Sequence, residues 1–259
     1  MRKIFAAALL LTACGCANMG AGTDQASYAP KSVADTDEQS RARIHAELAA
    51  GYLELGNYGV ALQEAGEALK ADSNYAPAYS LLGLVYMELR DDKAAEANFQ
   101  RALRIDPQDS DINNNFGWFL CQRKREQESL KYFLAALRNP LYATPDKSWV
   151  NAGVCARQTG DLATAEDYFQ KALKLRPGHP QALLQLADMS YKRKDYPAAK
   201  AYLGRIPREV TPTPELLWLA LRVERALGDR NAEASLGFQL QKNFPDSREA
   251  RALAAGQYE

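Results

Sequence analysis

Small and bulky apolar residues recur along the chain at a nearly constant spacing. An Ala-Leu pair returns after 34 residues, and once after 36, at Ala68-Leu69, Ala102-Leu103, Ala136-Leu137 and Ala172-Leu173. Between these pairs, apolar side chains lie three or four positions apart, which predicts amphipathic helices. Gly and Pro are sparse and fall between the apolar stretches, where turns are expected. The pattern predicts an all-α chain built from helix-turn-helix units.

A period of 34 residues is that of tetratricopeptide repeats. The second unit fits best, because Gly83 lets two helices approach closely and Phe99 fills the remaining volume. We predict a right-handed α-solenoid of about six repeats, the sixth degenerate, with a C-terminal capping helix at 248–259. The predicted repeats are residues 42–75, 76–109, 110–143, 146–179, 180–213 and 214–247. An unrelated helical bundle would not keep this period. Glu249 is placed for a capping box at the start of the last helix.

The N-terminus has the form of an export signal. Arg2 and Lys3 precede an apolar run, Ile4–Leu11, that is too short to span a bilayer. Residues 1–13 are therefore predicted to be a signal peptide. Leu11-Thr12-Ala13-Cys14 resembles a bacterial lipobox, so we expect a covalent lipid on Cys14, with an ordinary secretory signal as the alternative.

The residues after Cys14 predict how the body is attached. In bacterial lipoproteins an Asp after the cysteine is associated with retention in the inner membrane. Because Gly15 stands there in this chain, the resemblance to lipoproteins implies the outer membrane and its periplasmic face. Residues 14–38 lack apolar periodicity and predict a flexible tether with a reach of about 25–30 Å. Residues 39–259 are then the repeat domain.

Composition and motifs argue against catalysis and nucleic-acid binding. Lys+Arg and Asp+Glu number 32 each, whereas nucleic-acid binders usually carry a basic excess. The chain has no G-x-S-x-G, H-E-x-x-H or P-loop spacing, and no CxxC. With two histidines, a metal site is not expected. We predict no enzyme activity, no small-molecule substrate and no cofactor besides the lipid on Cys14.

The first helix of each repeat is expected to line a concave face. Its second, fifth, ninth and twelfth positions give a groove that suits an extended or helical peptide. The predicted groove residues are Leu84, Met87, Asn114, Trp118, Val150, Val154, Arg157 and Leu184. Trp118 is the leading candidate for an energetically dominant contact, although it could instead belong to the core.

Cys121 and Cys155 lie on the first helices of neighbouring repeats. Neighbouring helices pack about 8–10 Å apart, and the periplasm is oxidising. We predict a disulfide that ties the third repeat to the fourth. The alternative is two small buried thiols.

Three segments carry features that the repeat pattern does not require. They are Asn113–Cys121, the run Asn139-Pro140-Leu141-Tyr142-Ala143-Thr144-Pro145, and Asn151–Cys155. Together with the lipobox they resemble the type IV pilus biogenesis and stability lipoproteins of the PilF/PilW family. The resemblance implies six repeats and a cysteine pair at these positions. It also implies an outer-membrane pilotin that binds secretin subunits and promotes their localisation and multimerisation, without catalytic residues.

Other functions remain compatible with the sequence. A lipid-anchored repeat array could be a general outer-membrane scaffold for another envelope assembly. It could also be a chaperone for exported polysaccharide or lipoprotein systems, or an accessory that regulates a cell-wall hydrolase.

Overall fold

A computed structural model describes residues 37–258, and within that range every regular element is a helix. The predicted all-α class and tetratricopeptide-repeat architecture are confirmed. The helices are α1 (Asp37–Glu54), α2 (Tyr58–Ala71), α3 (Ala76–Glu88), α4 (Asp92–Ile105), α5 (Ser110–Gln122), α6 (Glu126–Ala136), α7 (Pro145–Gln158), α8 (Leu162–Leu175), α9 (Pro180–Lys192), α10 (Tyr196–Leu203), α11 (Pro214–Leu227), α12 (Arg230–Asn243) and α13 (Arg248–Ala254).

The ends of the repeat array differ from the sequence prediction. Helix α1 begins at Asp37, inside the stretch expected to be tether. Helix α13 ends at Ala254, and Gly256 then takes a φ of 67° in the turn that follows. The side chain of Ser247 caps α13 by accepting from the Ala250 amide at 3.0 Å. Glu249 is then the second helical residue, so the predicted capping box is wrong. The predicted signal peptide and Cys14 lie outside the described residues.

Each repeat makes its internal turn in the same way. The residue before the second helix's N-cap is left-handed, with φ between 59° and 84°, at Gly56, Arg90, Lys124, Gly160, Lys194 and Gly228. The next residue caps the second helix through its side chain at Asn57, Asp91, Asp161, Asp195 and Asp229. The third repeat departs from this, because its Arg125 forms ion pairs with Glu96 and Glu128, both at 2.8 Å. The turn is therefore set by backbone conformation and cap together.

A glycine of the first helix meets a phenylalanine ring of the second in the three central repeats. The pairs are Gly83 with Phe99, Gly117 with Phe133, and Gly153 with Phe169. A Cβ atom on these glycines would lie 2.8, 2.9 and 2.6 Å from the nearest ring atom, respectively. All three rings are fully buried. The helices can approach this closely only because the glycines lack a side chain.

The last two repeats solve the same packing problem with other residues. In the fifth repeat the equivalent positions hold Ala187 and Leu203. In the sixth the sizes are reversed, since Leu221 is on α11 and Gly237 is on α12. A Cβ atom on Gly237 would lie 3.5 Å from Leu221 and 3.3 Å from Leu253 of α13. The sixth repeat looks degenerate in sequence because its large and small residues have exchanged helices.

The first helices form one layer of the array. Each of α3, α5, α7 and α9 contacts the first helix of the next repeat, and α1 contacts α3, whereas among the described residues the second helices do not contact one another. An array whose first helices lie close together and whose second helices lie apart must curve toward the layer of first helices. The inner face is therefore lined by first helices, as predicted.

Candidate binding surface on the inner face

Five of the eight predicted groove residues lie half-buried on the first helices, where one side of each packs on the core. They are Leu84, Met87, Trp118, Val154 and Leu184. Side chains held in this way offer apolar surface with little loss of conformational freedom on binding. These positions can contact a peptide laid along the inner face.

For Asn114 and Val150 the groove prediction is wrong, because these side chains are only 8% and 4% exposed and are not free to contact a partner. The Asn114 Oδ1 atom accepts from Ser148 Oγ at 2.9 Å and from Asn151 Nδ2 at 3.1 Å. Val150 belongs to the core cluster beneath α7. Asn114 therefore connects α5 to α7 and has little left to offer a partner.

Trp118 combines both roles that its position allowed. One side packs on the buried cluster of Phe133, Cys121 and Cys155, and the other lines a cavity of about 540 Å³ whose wall includes Met87. At the rim, Arg123 and Asp92 are 2.6 Å apart. The hydrogen bond from Arg123 lowers the pKa of the Asp92 carboxyl. Trp118 is thus a rigid, half-exposed aromatic beside a fixed ion pair.

The two body cysteines are joined as a disulfide beneath Trp118. The Cα atoms of Cys121 and Cys155 are 5.8 Å apart, within the range for a bridged pair, and both residues are buried. Cys121 lies four residues after Gly117 on α5, and Cys155 lies two residues after Gly153 on α7. The cross-link fixes the spacing of the two helices that carry Trp118 and Val154.

Arg157, the last polar residue of the predicted groove, connects the fourth repeat to the fifth. Its guanidinium donates to the side chains of Gln185 and Asp188 on α9. Asp188 also pairs with Lys192 at 3.1 Å. Arg157 therefore links α7 to α9, and its exposed edge lines the cavity between the fifth and sixth repeats.

A largely apolar cavity of about 440 Å³ lies between the fifth and sixth repeats. Leu184 is its only apolar lining residue that the sequence analysis named. The remaining apolar wall comes from Ile206, Val210, Leu216, Trp218 and Leu219. We missed Trp218 and Arg222 because the sixth repeat looked degenerate. The positional rule used for the other repeats selects both, at the fifth and ninth positions of α11.

Aromatic rings and guanidinium groups surround the floor of this cavity. The ring of Trp218 stacks on Tyr258 at 5.8 Å between centroids. Arg225 lies 3.8 Å from the Tyr258 ring centroid, and its pKa is raised by the hydrogen bond to Glu233. These contacts hold Trp218 from the C-terminal side and leave its other surface toward the cavity.

Across residues 37–258, no group of three or more His, Cys, Asp or Glu side chains is placed to hold a metal ion. None of the helices in that range is both long and apolar enough to cross a membrane.

Comparison with known proteins agrees with the repeat architecture. Tetratricopeptide-repeat family profiles match residues 76–109, 125–180 and 156–221. The "Type IV pilus assembly protein PilF" of Pseudomonas aeruginosa is 31% identical over 209 residues, which are 81% of this chain and 83% of that protein.

Two solved structures extend the similarity to three dimensions. The crystal structure of PilW, described as a "widely conserved type IV pilus biogenesis factor", is 32% identical. It superposes with a TM-score of 0.71 over 82% of this chain and 98% of PilW. The structure of P. aeruginosa PilF is 29% identical, with a TM-score of 0.74 over 85% of this chain and all of that one.

Proposed function

Because the chain belongs to the PilF/PilW family of tetratricopeptide-repeat proteins, we propose that it acts in type IV pilus biogenesis as a pilotin. In this role it binds secretin subunits and promotes their localisation and multimerisation in the outer membrane. The partner is a protein segment, and no reaction is catalysed.

The match to two pilus factors over 81–85% of this chain is the observation that carries this proposal. Many repeat arrays share a fold at low identity, and such likeness says nothing about the partner. Here the identity reaches 31–32% and nearly all of PilW is covered. A shared framework of that extent supports a shared task more strongly than the repeat pattern alone.

The inner face supplies the means of binding. Trp118 and Met87 present half-buried apolar surface next to the Arg123–Asp92 ion pair. Aromatic residues held in this way dominate many protein interfaces. An extended or helical secretin segment would place an apolar side chain against Trp118.

The lipid is proposed to keep this groove at the membrane. Cys14, which lies outside the described residues, would carry the acyl chains, and the residues after it would act as a tether. Tethering raises the local concentration of groove and secretin without any new contact. Several acyl chains give a stable anchor, since two lipid signals already suffice.

Secretin multimers and surface pili in a deletion strain test the proposal. The strain is complemented with wild type, with Trp118→Ala, and with Trp149→Ala as a matched control. Trp149 packs on Tyr168 and Lys171 of the second helix α8, away from the inner face. We expect multimers and pili to be lost in the deletion and restored by wild type and Trp149→Ala, but not by Trp118→Ala. Normal piliation in the deletion would exclude a pilotin and favour a scaffold for another envelope assembly.

The anchor is tested separately with Cys14→Ala. This protein should still bind secretin in a pull-down from solubilised membranes, because the repeat domain is unchanged. It should fail to restore secretin multimers in the outer-membrane fraction. Normal assembly with this variant would remove the lipid from the proposal and leave the groove in place.

A further inference from the structure

The cavity between the fifth and sixth repeats is continuous with a second depression. The first, of about 440 Å³, is walled by Leu184, Val210 and Leu216. The second, of about 690 Å³, lies toward α13. Asp188, Trp218, Arg222 and Glu249 line both. They form one trench, apolar at one end and polar at the other, with Trp218 and Arg222 at the junction.

Arg222 is a cation in this trench with a buried donor atom that has no partner. Its guanidinium lies 4.7 Å from the ring centroid of Tyr191 and 5.6 Å from that of Trp218. Its Nε atom is buried and has no hydrogen-bond partner. Within residues 37–258 the side chain makes no ion pair. A buried charged donor without an acceptor is costly, so this guanidinium is suited to a partner that brings an anionic group.

The polar end of the trench has the same sign of charge. Arg248 and Arg251 of α13 line it, and neither is ion-paired within the described part of the chain. Of the carboxylates there, Asp188 is already neutralised by Arg157 and Lys192. Glu249 is the remaining carboxylate in this depression, which is also lined by the three arginines Arg222, Arg248 and Arg251. An acidic segment therefore meets net positive potential along this end.

We propose that this trench is a peptide-binding site for a protein segment in which a large apolar side chain is followed or preceded by acidic residues. The apolar side chain fills the cavity beside Leu184 and Val210. The carboxylates pair with Arg222 and with the arginines of α13. The open inner face admits a continuous main chain, and Gln181 at the rim offers an amide to hydrogen-bond it.

The inference does not rest on the proposed pilus function. The site lies on α9, α11, α13 and the segment between α10 and α11, whereas the Trp118 surface lies on α3, α4 and α5. Loss of pili with Trp118→Ala and binding of an acidic-apolar peptide to the trench are therefore independent results, and either can fail alone.

A random peptide library displayed on phage and selected on the full-length protein in mild detergent tests the proposal. We expect enriched sequences to share a large apolar residue beside acidic residues. The strongest sequence is then synthesised, and its affinity is measured by calorimetry. The affinity should fall as the salt concentration is raised. A selection without such a consensus, or one equally satisfied by acidic residues without the apolar one, would overturn the proposal.

Variants assign the binding to the trench. Arg222→Gln should weaken the synthetic peptide at least about tenfold, the factor that corresponds to 1.4 kcal/mol. Arg104→Gln on α4, an exposed arginine far from the trench, should leave the affinity unchanged. Val210→Asp places a negative charge in the apolar end, where it repels an acidic peptide, and removes no core volume. It therefore tests the site even if Arg222→Gln lowers the melting temperature. Unchanged affinity in both Arg222→Gln and Val210→Asp would refute the assignment.

Discussion

Replacing Gly153 by alanine tests whether the glycine–phenylalanine contacts set the helix spacing. The new Cβ atom would lie 2.6 Å from Cε1 of Phe169, whose side chain is fully buried. Carbon atoms prefer a separation of about 3.5–4.0 Å, so the ring or the helix must move by about 1 Å. Extra volume in a packed core costs about 1–3 kcal/mol, and the better helix propensity of alanine returns about 1 kcal/mol. We expect Gly153→Ala to lower the free energy of unfolding by up to about 2 kcal/mol.

Gly66→Ala is the matched control. Gly66 is also within a helix, α2, but a Cβ atom there would meet nothing within 4 Å. The propensity gain is then unopposed, and stability should rise by about 0.5–1 kcal/mol. The two substitutions are chemically identical and should have opposite signs.

The double variant Gly153→Ala/Phe169→Leu provides the second check. The fifth repeat carries Ala187 and Leu203 at the same two positions. Leucine opposite alanine relieves the overlap, so the pair should show a favourable coupling of about 0.5 kcal/mol or more.

Thermal and urea unfolding followed by far-ultraviolet circular dichroism measures these effects under one set of conditions. For a domain of this size, 1 kcal/mol corresponds to about 2–4 °C in the midpoint. Because repeat arrays need not unfold in one step, midpoints are compared between variants rather than extrapolated. A Gly153→Ala protein as stable as Gly66→Ala would refute the close-approach argument.

Three other predictions concern the same domain. The Cys121–Cys155 disulfide closes a loop with a sequence separation of 34, so its reduction should lower stability by up to about 4 kcal/mol on the chain-entropy estimate. Adding reductant should therefore lower the unfolding midpoint of the wild type. It should not change the midpoint of the Cys121→Ser/Cys155→Ser variant. Burial lowers the pKa of His179, so its neutral form is favoured in the folded state, and stability present above about pH 6.5 should be lost as the pH falls. The variant His179→Asn keeps an N-cap acceptor and should reduce the change of the unfolding midpoint between about pH 7.5 and pH 5. An unchanged dependence of the midpoint on pH would contradict this. Lys194→Gly should raise the midpoint, since Lys194 has a φ of 63°, and glycine adopts that region at no steric cost; a fall in the midpoint would contradict it.

Most of the fold could be predicted from the sequence because the repeat signal is local and redundant. The same helix crossing recurs in several repeats, marked by Gly83, Phe99 and their equivalents. The period can therefore be recognised even though one repeat matches it poorly. The positional rule for the inner face selected Leu84, Trp118 and Leu184, which lie half-buried on first helices. Their part in binding a partner stays a prediction.

The errors arose where a residue's neighbours decide its role. Asn114 occupies a groove position, but Ser148 and Asn151 of the next repeat use its side chain. No positional rule for a single repeat contains that information. Trp218 and Arg222 were missed for the opposite reason, because the rule was not applied to a repeat that looked irregular.

The irregularity of the sixth repeat explains why a trench lies beside it. With Leu221 on α11, the packing volume is filled from the first helix, and Gly237 on α12 is left small. Leu253 of α13 packs against Gly237, which brings α13 against the end of the array. Arg248 and Arg251, on that same short helix, thereby line the polar end beside Trp218. A Cβ atom at position 237 would already lie 3.3 Å from Leu253, so a large side chain there would push α13 away. The departure from the repeat pattern and the presence of the trench thus have one physical cause.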